Sequence, residues 1–175
     1  RGAVPQVLYA GMLQYDGDLC IPKRFLVNPP EIRHTLTELL VENGIPEYAC
    51  SETQKYGHVT YFWNGNRSGK VDERLETYEE IPSDVIPFEQ APAMKSKEIT
   101  DSLIAAMESG KYDFLRCNFP NGDMVGHTGV MDAVVYAIEC VDKSIAAILE
   151  AADKYGYIVL ITADPGNADP MTETK

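Results

Sequence analysis

Two short apolar runs flank the clearest helical period in this sequence. The runs span residues 112–117 and 157–162, and each has the length of a strand buried in a sheet. Between them, after Gly129, apolar residues recur at alternating spacings of three and four, at Val130, Val134, Ala137, Val141, Ile145 and Ile148. A strand, a long helix and a second strand predict an α/β fold, with a mostly parallel sheet and helices on both faces.

The residues before these runs continue the alternation of strands and helices. A helix is predicted between Pro29 and Gly44, because proline suits a first helical turn and glycine a helix end. Short strands are predicted around 48–50 and over 57–63. A further helix is predicted over 96–109, since Gly110 follows its last apolar position.

Two stretches lack such a period. Residues 1–28 contain an apolar patch and turn signals, and we expect them to be a connection that enters the domain. Residues 66–95 are rich in charge and proline, so they are predicted to form a surface excursion with little regular structure.

Composition and charge exclude several classes of protein. With 175 residues, 45% of them hydrophobic and 24% charged, the chain fits one globular domain. Its longest apolar run is far below the roughly 18 to 20 residues of a membrane span. The net charge of −12 argues against nucleic-acid and anionic-membrane partners, which need clustered lysine and arginine. The spacing of the cysteines favours reduced thiols and a cytoplasmic location; they are Cys20, Cys50, Cys117 and Cys140.

The segment 118–129 carries the most chemistry. It reads Asn-Phe-Pro-Asn-Gly-Asp-Met-Val-Gly-His-Thr-Gly and follows the apolar run 112–117, which places it at the carboxyl end of a strand, where open α/β sheets bind their ligands. Asp123 and His127 are four residues apart, so one helical turn brings a carboxylate and an imidazole to the same side. This pair suits a divalent metal, although surface pairs on helices often have the same spacing.

A second acidic residue follows the second run. The run 157–162 leads into Ala163, Asp164, Pro165, Gly166 and Asn167. Two carboxylates at the ends of two strands, on either side of one helix, predict convergence on one edge of the sheet, and we expect the side chains of Asp123, His127 and Asp164 to lie within roughly 10 Å there.

Three segments together resemble a known family. Besides 118–129, they are 55–65, which reads Lys-Tyr-Gly-His-Val-Thr-Tyr-Phe-Trp-Asn-Gly, and 162–167. They are similar to motifs of the cofactor-independent phosphoglycerate mutases, metalloenzymes of the alkaline phosphatase superfamily. The similarity runs in order along nearly the whole chain and includes 9–18 and 29–32.

The resemblance implies roles for four residues. It implies that Asp123 and His127 bind one of two divalent ions, that Asp164 binds the other, and that Lys55 contacts the phosphoryl group of the substrate. Manganese is the first expectation, and Mg²⁺, Co²⁺ and Zn²⁺ are alternatives. His58 is expected to be a core histidine, not a ligand, because it would alternate into the predicted strand 57–63.

The implied activity is that of an isomerase. Such an enzyme interconverts 3-phosphoglycerate and 2-phosphoglycerate in glycolysis and gluconeogenesis through a phosphoserine intermediate, without bisphosphoglycerate as cofactor, and a monomer is expected. The resemblance places the nucleophilic serine before residue 1, so no catalytic nucleophile is expected in this chain. Residues 1–28 would then return from a phosphotransferase domain, and 29–175 would form the carboxyl-terminal part of the metal-binding domain, which we expect to be inactive alone.

One departure from the family pattern keeps other functions open. Pro165 stands where the family has a histidine ligand, and proline has no donor atom. The alternatives are another phosphatase or a phosphopentomutase of the same superfamily, or a catalytically inactive relative that acts as an interaction module.

Overall fold

The computed structural model of the chain describes residues 7–14, 20–28, 30 and 32–163. The chain divides into two compact units, Arg1–His34 and Thr35–Lys175. In the described part of the first unit, β1 (Gly11–Leu13) and β2 (Phe25–Val27) pair in parallel. Gly11 is required there, since a Cβ at this position would meet Pro22 Cγ at 2.5 Å.

The second unit is built on a three-stranded parallel sheet. Its strands are β3 (Glu47–Glu52), β4 (Glu76–Ile81) and β5 (Phe114–Asn118), in the order β4-β3-β5. The residues described in this unit form five helices beside the sheet: α1 (Leu36–Glu42), α2 (Thr53–Val59), α3 (Ser96–Ser109), α4 (Asn121–Gly126) and α5 (Met131–Tyr155). A single 3₁₀ turn, Phe88–Gln90, lies in the described part of the β4–α3 connection.

Side-chain alternation along the strands shows that both faces of the sheet are covered. Tyr48 and Cys50 of β3 share one apolar core with Ile99 and Leu103 of α3 and with α5. The alternate residues face the other way, where Thr37 of α1 donates a 3.1 Å hydrogen bond to Glu47. The predicted parallel α/β sheet with helices on both faces is therefore confirmed.

Several boundaries differ from the sequence-based predictions. The helix predicted from Pro29 begins only at Leu36, because His34 has a left-handed φ of 58° and Thr35 forms a capping box with Glu38. The helix 96–109 is confirmed, and Gly110 ends it in the left-handed conformation. The predicted strand 112–117 is β5, shifted to begin at Phe114.

The strand predicted over 57–63 is wrong. Those residues are the end of α2 and the turns that follow it, because β3 already ends at Glu52 and the chain must cross over to reach the next strand. Val59 is buried, and its carbonyl accepts a 2.8 Å hydrogen bond from Arg116 Nε. These tertiary contacts override the strand propensity of its β-branched and aromatic neighbours.

The segment 66–95 is more regular than predicted, since it contains β4. This strand escapes notice in the sequence because it reads Glu-Thr-Tyr-Glu-Glu-Ile. Its acidic side chains have partners from elsewhere: Glu79 pairs with Tyr48, and Glu76 accepts a 2.6 Å hydrogen bond from the amide of Asp72. Satisfied in this way, Glu76 is only 2% exposed.

The strand predicted over 157–162 is not formed. Tyr157 and Val159 pack against the core, whereas Ile158 and Leu160 are 92% and 90% exposed. The residues thus alternate like those of a strand, but 157–163 have no strand assignment in the structure. In the described ranges, no helix is both long and apolar enough to cross a membrane.

A buried ion pair closes the amino edge of the sheet. Arg116 of β5 pairs with Glu47 of β3, and the two residues are 7% and 0% exposed. The guanidinium lies 5.1 Å from the ring centroid of Trp63, whose indole N–H donates to Thr37 at 3.1 Å. The guanidinium of Arg116 thus has a carboxylate, a carbonyl and an aromatic face as neighbours, while its Nη2 has no hydrogen-bond partner among the described residues.

Removing one partner of this pair is expected to destabilise the fold strongly. Arg116→Met leaves the Glu47 carboxylate buried without its counter-ion, and we expect a loss of about 3 to 5 kcal/mol in the free energy of unfolding. Urea unfolding measures it. The double variant Glu47→Leu with Arg116→Met should recover part of the loss, and Lys97→Ala, which breaks the exposed Lys97–Asp101 pair, serves as control. A loss for Arg116→Met no larger than for the control would contradict the assignment.

The two strand cysteines should react only when the protein unfolds. Cys50 of β3 lies opposite Cys117 of β5. Burial raises the pKa of both thiols, that of Cys117 to about 12. Because the pKa of each thiol is higher in the folded than in the unfolded protein, the free energy of unfolding decreases as the pH rises above the unfolded pKa of about 8.5. At about pH 8, with the half-buried Cys140 replaced by serine, a disulfide reagent should therefore modify the exposed Cys20 at once and Cys50 and Cys117 only in denaturant. Fast modification of these two in the folded protein would refute the prediction; Cys50→Ser with Cys117→Ser should abolish the slow phase.

Candidate metal centre

The carboxyl end of β5 leads directly into the two predicted metal ligands. After Asn118 the chain turns through Phe119 and Pro120 into α4, which brings Asp123 into its first turn and leaves His127 at its C-cap. The amide of His127 donates to the carbonyl of Asp123 at 3.0 Å, so the two residues are one helical turn apart. As a result, His127 Nε2 lies 3.4 Å from Asp123 Oδ1.

Lys55 reaches the same carboxylate from a different element. It lies on α2, the helix that follows the carboxyl end of β3, and its Nζ is 2.5 Å from Asp123 Oδ2. The Asp123 side chain is 29% exposed and that of Lys55 is 19% exposed, whereas His127 is 61% exposed. One carboxylate therefore has an ammonium on one oxygen and an imidazole on the other.

This arrangement brings together three of the four residues assigned from the sequence. Lys55 meets Asp123 and His127 at the carboxyl edge of the sheet although it comes from a segment far from theirs in the chain. Asp164, with Pro165 beside it, lies outside the described residues, so its position relative to the other three stays a prediction.

The chemistry of the converging groups fits a divalent ion. A carboxylate oxygen and an imidazole nitrogen are ligands that Mn²⁺, Co²⁺ and Zn²⁺ all accept. The ammonium at 2.5 Å shows that a positive charge is well placed against the Asp123 carboxylate. No group of three or more potential metal ligands occurs within the described ranges, which contain two of the three predicted ligands, Asp123 and His127.

His58 is not a core histidine, and that prediction is wrong. It lies on α2 and is exposed, with its ring centroid 5.2 Å from that of Phe62 in an edge-on contact. The error follows from the strand predicted over 57–63, in which His58 would have pointed inward. In a helix, the inward position falls to Val59 instead.

Two buried polar residues that the sequence analysis passed over support the site. Asn121, the first residue of α4, is 0% exposed and donates from Nδ2 to the carbonyl oxygens of Pro92 and Ala93, at 3.1 and 2.9 Å. Glu52, the last residue of β3, accepts a 3.1 Å hydrogen bond from the amide of Lys95, and burial raises the pKa of its carboxyl. Their partners lie 28 to 43 residues away, so no local pattern in the sequence identifies them.

Close packing of α4 against α5 fixes the other side of the site. Val125 and Gly126 are buried, and Val125 packs with Ala133, Val134 and Ala137 of α5. A Cβ on Gly122 would meet Ile138 Cδ1 at 3.3 Å, which is tighter than an ordinary contact. The helix that carries Asp123 is thus held between α5 and the segment that precedes α3.

Comparison with known proteins places this chain in a family. The 2,3-bisphosphoglycerate-independent phosphoglycerate mutase of Trypanosoma brucei brucei is 56% identical over 173 residues, which are 99% of this chain and 31% of that protein. The enzyme of the same name from Zea mays is 55% identical over 174 residues, again 31% of its length. The chain thus spans under a third of the length of these curated relatives.

A solved structure agrees with the sequence comparison. Leishmania mexicana phosphoglycerate mutase, studied at low cobalt concentration, superposes with a TM-score of 0.89 and 53% sequence identity. The superposition covers 95% of this chain and 30% of that one. The sequence also matches the Metalloenzyme superfamily over residues 9–175, and the chain therefore belongs to that superfamily.

Proposed function

We propose that the protein to which this chain belongs is a metal-dependent isomerase that interconverts 3-phosphoglycerate and 2-phosphoglycerate. The observation that carries the proposal is the convergence of the Lys55 ammonium and the His127 imidazole on the carboxylate of Asp123, at the carboxyl edge of the sheet. The mutases named above, 56% and 55% identical, support this choice of reaction. Because the chain covers 31% of their length, the activity is proposed for the whole protein and not for these residues alone.

In this proposal the residues divide between metal and phosphate. Asp123 and His127 would hold one divalent ion, and Asp164 would hold the second. A pair of such ions lowers the pKa of an attacking hydroxyl and neutralises charge on a transferring phosphoryl group. Lys55 binds the phosphoryl oxygens as a mobile point charge on a flexible stem, which suits a group that moves between two hydroxyls. The nucleophile is a serine outside these 175 residues.

Several finer points belong to the same proposal. Mn²⁺ is the ion we expect in the cell, with Mg²⁺, Co²⁺ and Zn²⁺ as alternatives, since carboxylate and imidazole accept them all. Residues 1–28 would lead in from a phosphotransferase domain, and 29–175 would belong to the metal-binding domain. We further propose a cytoplasmic monomer that needs no bisphosphoglycerate and binds neither nucleic acid nor membrane, in keeping with a net charge of −12.

Pro165 favours one alternative, an inactive relative retained as an interaction module. A proline at a ligand position removes a donor from the second metal site. Metal content separates the two functions, because an active enzyme should retain divalent metal through dialysis and an inactive relative should not. The ratio of mutase to phosphatase turnover then separates the mutase from a phosphatase of the same superfamily.

Metal binding should depend on Asp123. Titration of the chain with Mn²⁺ is expected to broaden the amide resonances of residues around 121–127 first, since the paramagnetic ion acts over short distances from its ligands. Asp123→Ala should abolish this selective broadening. Asp101→Ala removes the same charge from the exposed surface of α3 and should leave it unchanged. Equal broadening in the two variants would show that Mn²⁺ binds by net charge alone.

Catalysis should depend on Lys55 without loss of metal. In the whole protein, Lys55→Ala is expected to reduce mutase turnover on the order of 10²-fold, the effect of deleting one preorganised charge stabiliser. Bound metal, measured by elemental analysis after dialysis, should not fall, because the ammonium repels a cation at Asp123. Lys97→Ala, an exposed lysine on α3, should change neither quantity. Joint loss of metal and turnover would assign Lys55 to the metal site or to folding.

A further inference from the structure

We propose that Asn121 and Glu52 are positioning residues that set the geometry between Asp123 and Lys55 by gripping the same short segment of main chain. We call residues 92–95, which lead into α3, the brace. The structural part of the inference stands on hydrogen bonds alone, and its catalytic meaning rests on the function proposed above.

Asn121 connects the brace to the element that carries Asp123. Its Nδ2 donates to the carbonyl oxygens of Pro92 and Ala93 at 3.1 and 2.9 Å. These two acceptors fix the orientation of the side-chain amide of Asn121, because the reverse orientation would place Oδ1 against two carbonyl oxygens. Since Asn121 begins α4 two residues before Asp123, this contact fixes the helix turn that presents the carboxylate.

The amide of Asn121 is buried with only its donor satisfied. Asn121 is 0% exposed, and its Oδ1 has no hydrogen-bond partner among the residues that the structure describes. Asn64 is also buried with an Oδ1 of the same kind, so this feature does not separate the two residues. What separates them is the partner of the donor, which for Asn121 is the main chain of the brace.

Glu52 connects the brace to the element that carries Lys55. It is the last residue of β3 and the N-cap of α2, three residues before Lys55. Its Oε2 accepts a 3.1 Å hydrogen bond from the amide of Lys95, and the residue is 2% exposed. The start of α2 is therefore tied to the same four residues as the start of α4.

The brace itself is held in a defined conformation. Met94 has a left-handed φ of 46°, which a methionine adopts only where its surroundings determine it. Its amide donates to the carbonyl of Ala91 at 2.9 Å, and that of Ser96 donates to Ala93 at 3.2 Å. Directly after the brace, α3 packs on the sheet core through Ile99 and Leu103. Both α2 and α4 are thus connected through the brace to α3, which packs on the core.

A matched pair of asparagine variants tests the proposal. Asn121→Ala removes the donor at the brace. Asn64→Ala removes an equally buried asparagine whose Nδ2 donates to Tyr78 Oη at 2.7 Å and which makes no hydrogen bond to the brace. Both should destabilise the chain in urea. Only Asn121→Ala is expected to weaken the apparent affinity for Mn²⁺ around 121–127, by about 10-fold to 100-fold, the effect of losing a residue that orients a ligand.

Glu52 offers a second and independent test. Because Glu52 sets the start of the helix that carries Lys55, its readout is turnover and not metal. In the whole protein, Glu52→Gln retains an oxygen that accepts from the Lys95 amide and should retain mutase turnover, whereas Glu52→Ala should lower turnover towards that of Lys55→Ala and leave bound metal unchanged. This pair also decides the matter if Asn121→Ala does not fold.

The outcomes separate this proposal from the one on which it rests. If Asp123→Ala leaves Mn²⁺ binding unchanged, the proposed metal site is wrong. If Asp123→Ala abolishes binding while Asn121→Ala behaves like Asn64→Ala and Glu52→Ala like Glu52→Gln, the site stands and the positioning role is overturned.

Discussion

The parallel register of β3 between β4 and β5 is the constraint on which the rest of the second unit depends. All six residues of β3 are buried, and pairing on both sides leaves no freedom to slip, because a shift of one residue would exchange the two faces. The register pairs Ser51 with Asn118, and Ser51 Oγ donates to the carbonyl of Asn118 at 3.1 Å. The strands that precede α2 and α4 therefore end at the same level, which brings Lys55 to Asp123.

Charged side chains are buried at the amino edge of this sheet and partly exposed at its carboxyl edge. At the amino edge, Glu47 and Arg116 are almost fully buried and are enclosed by further hydrogen bonds, so neither charge is available to a ligand. At the carboxyl edge, the carboxylate of Asp123 and the imidazole of His127 are partly exposed and lie on short elements. The same sheet thus separates a buried structural ion pair from partly exposed charged and polar groups at its carboxyl edge.

Sequence reasoning succeeded where a single periodic signal decided the structure. The helix Ser96–Ser109 has apolar positions at helical spacing and a terminal glycine, and it lies where it was predicted, with Lys95 as its N-cap. The apolar run before Asp123 and His127 likewise placed them at the carboxyl end of a strand. Lys55 was assigned through the resemblance alone, because the predicted strand 57–63 put it before a strand and not at the end of one. Sequence reasoning failed where partners distant in sequence decide. Glu79 makes β4 resemble a surface loop in the sequence, whereas in the structure it pairs with Tyr48, 31 residues away.

The positions of Asn121 and Glu52 illustrate the same limit in the site itself. A sequence of Asn-Gly reads as a turn and a lone glutamate as a surface charge, and both are buried here only because the main chain of residues 92–95 supplies their partners. A net charge of −12 adds a reason for such bracing. The overall field would repel the anionic substrate proposed above, so attraction would have to come from local cations. Lys55, 19% exposed and placed against the carboxylate of Asp123 on α4, is such a cation, whereas the charge of the exposed Lys97, beside Asp101, is screened by solvent.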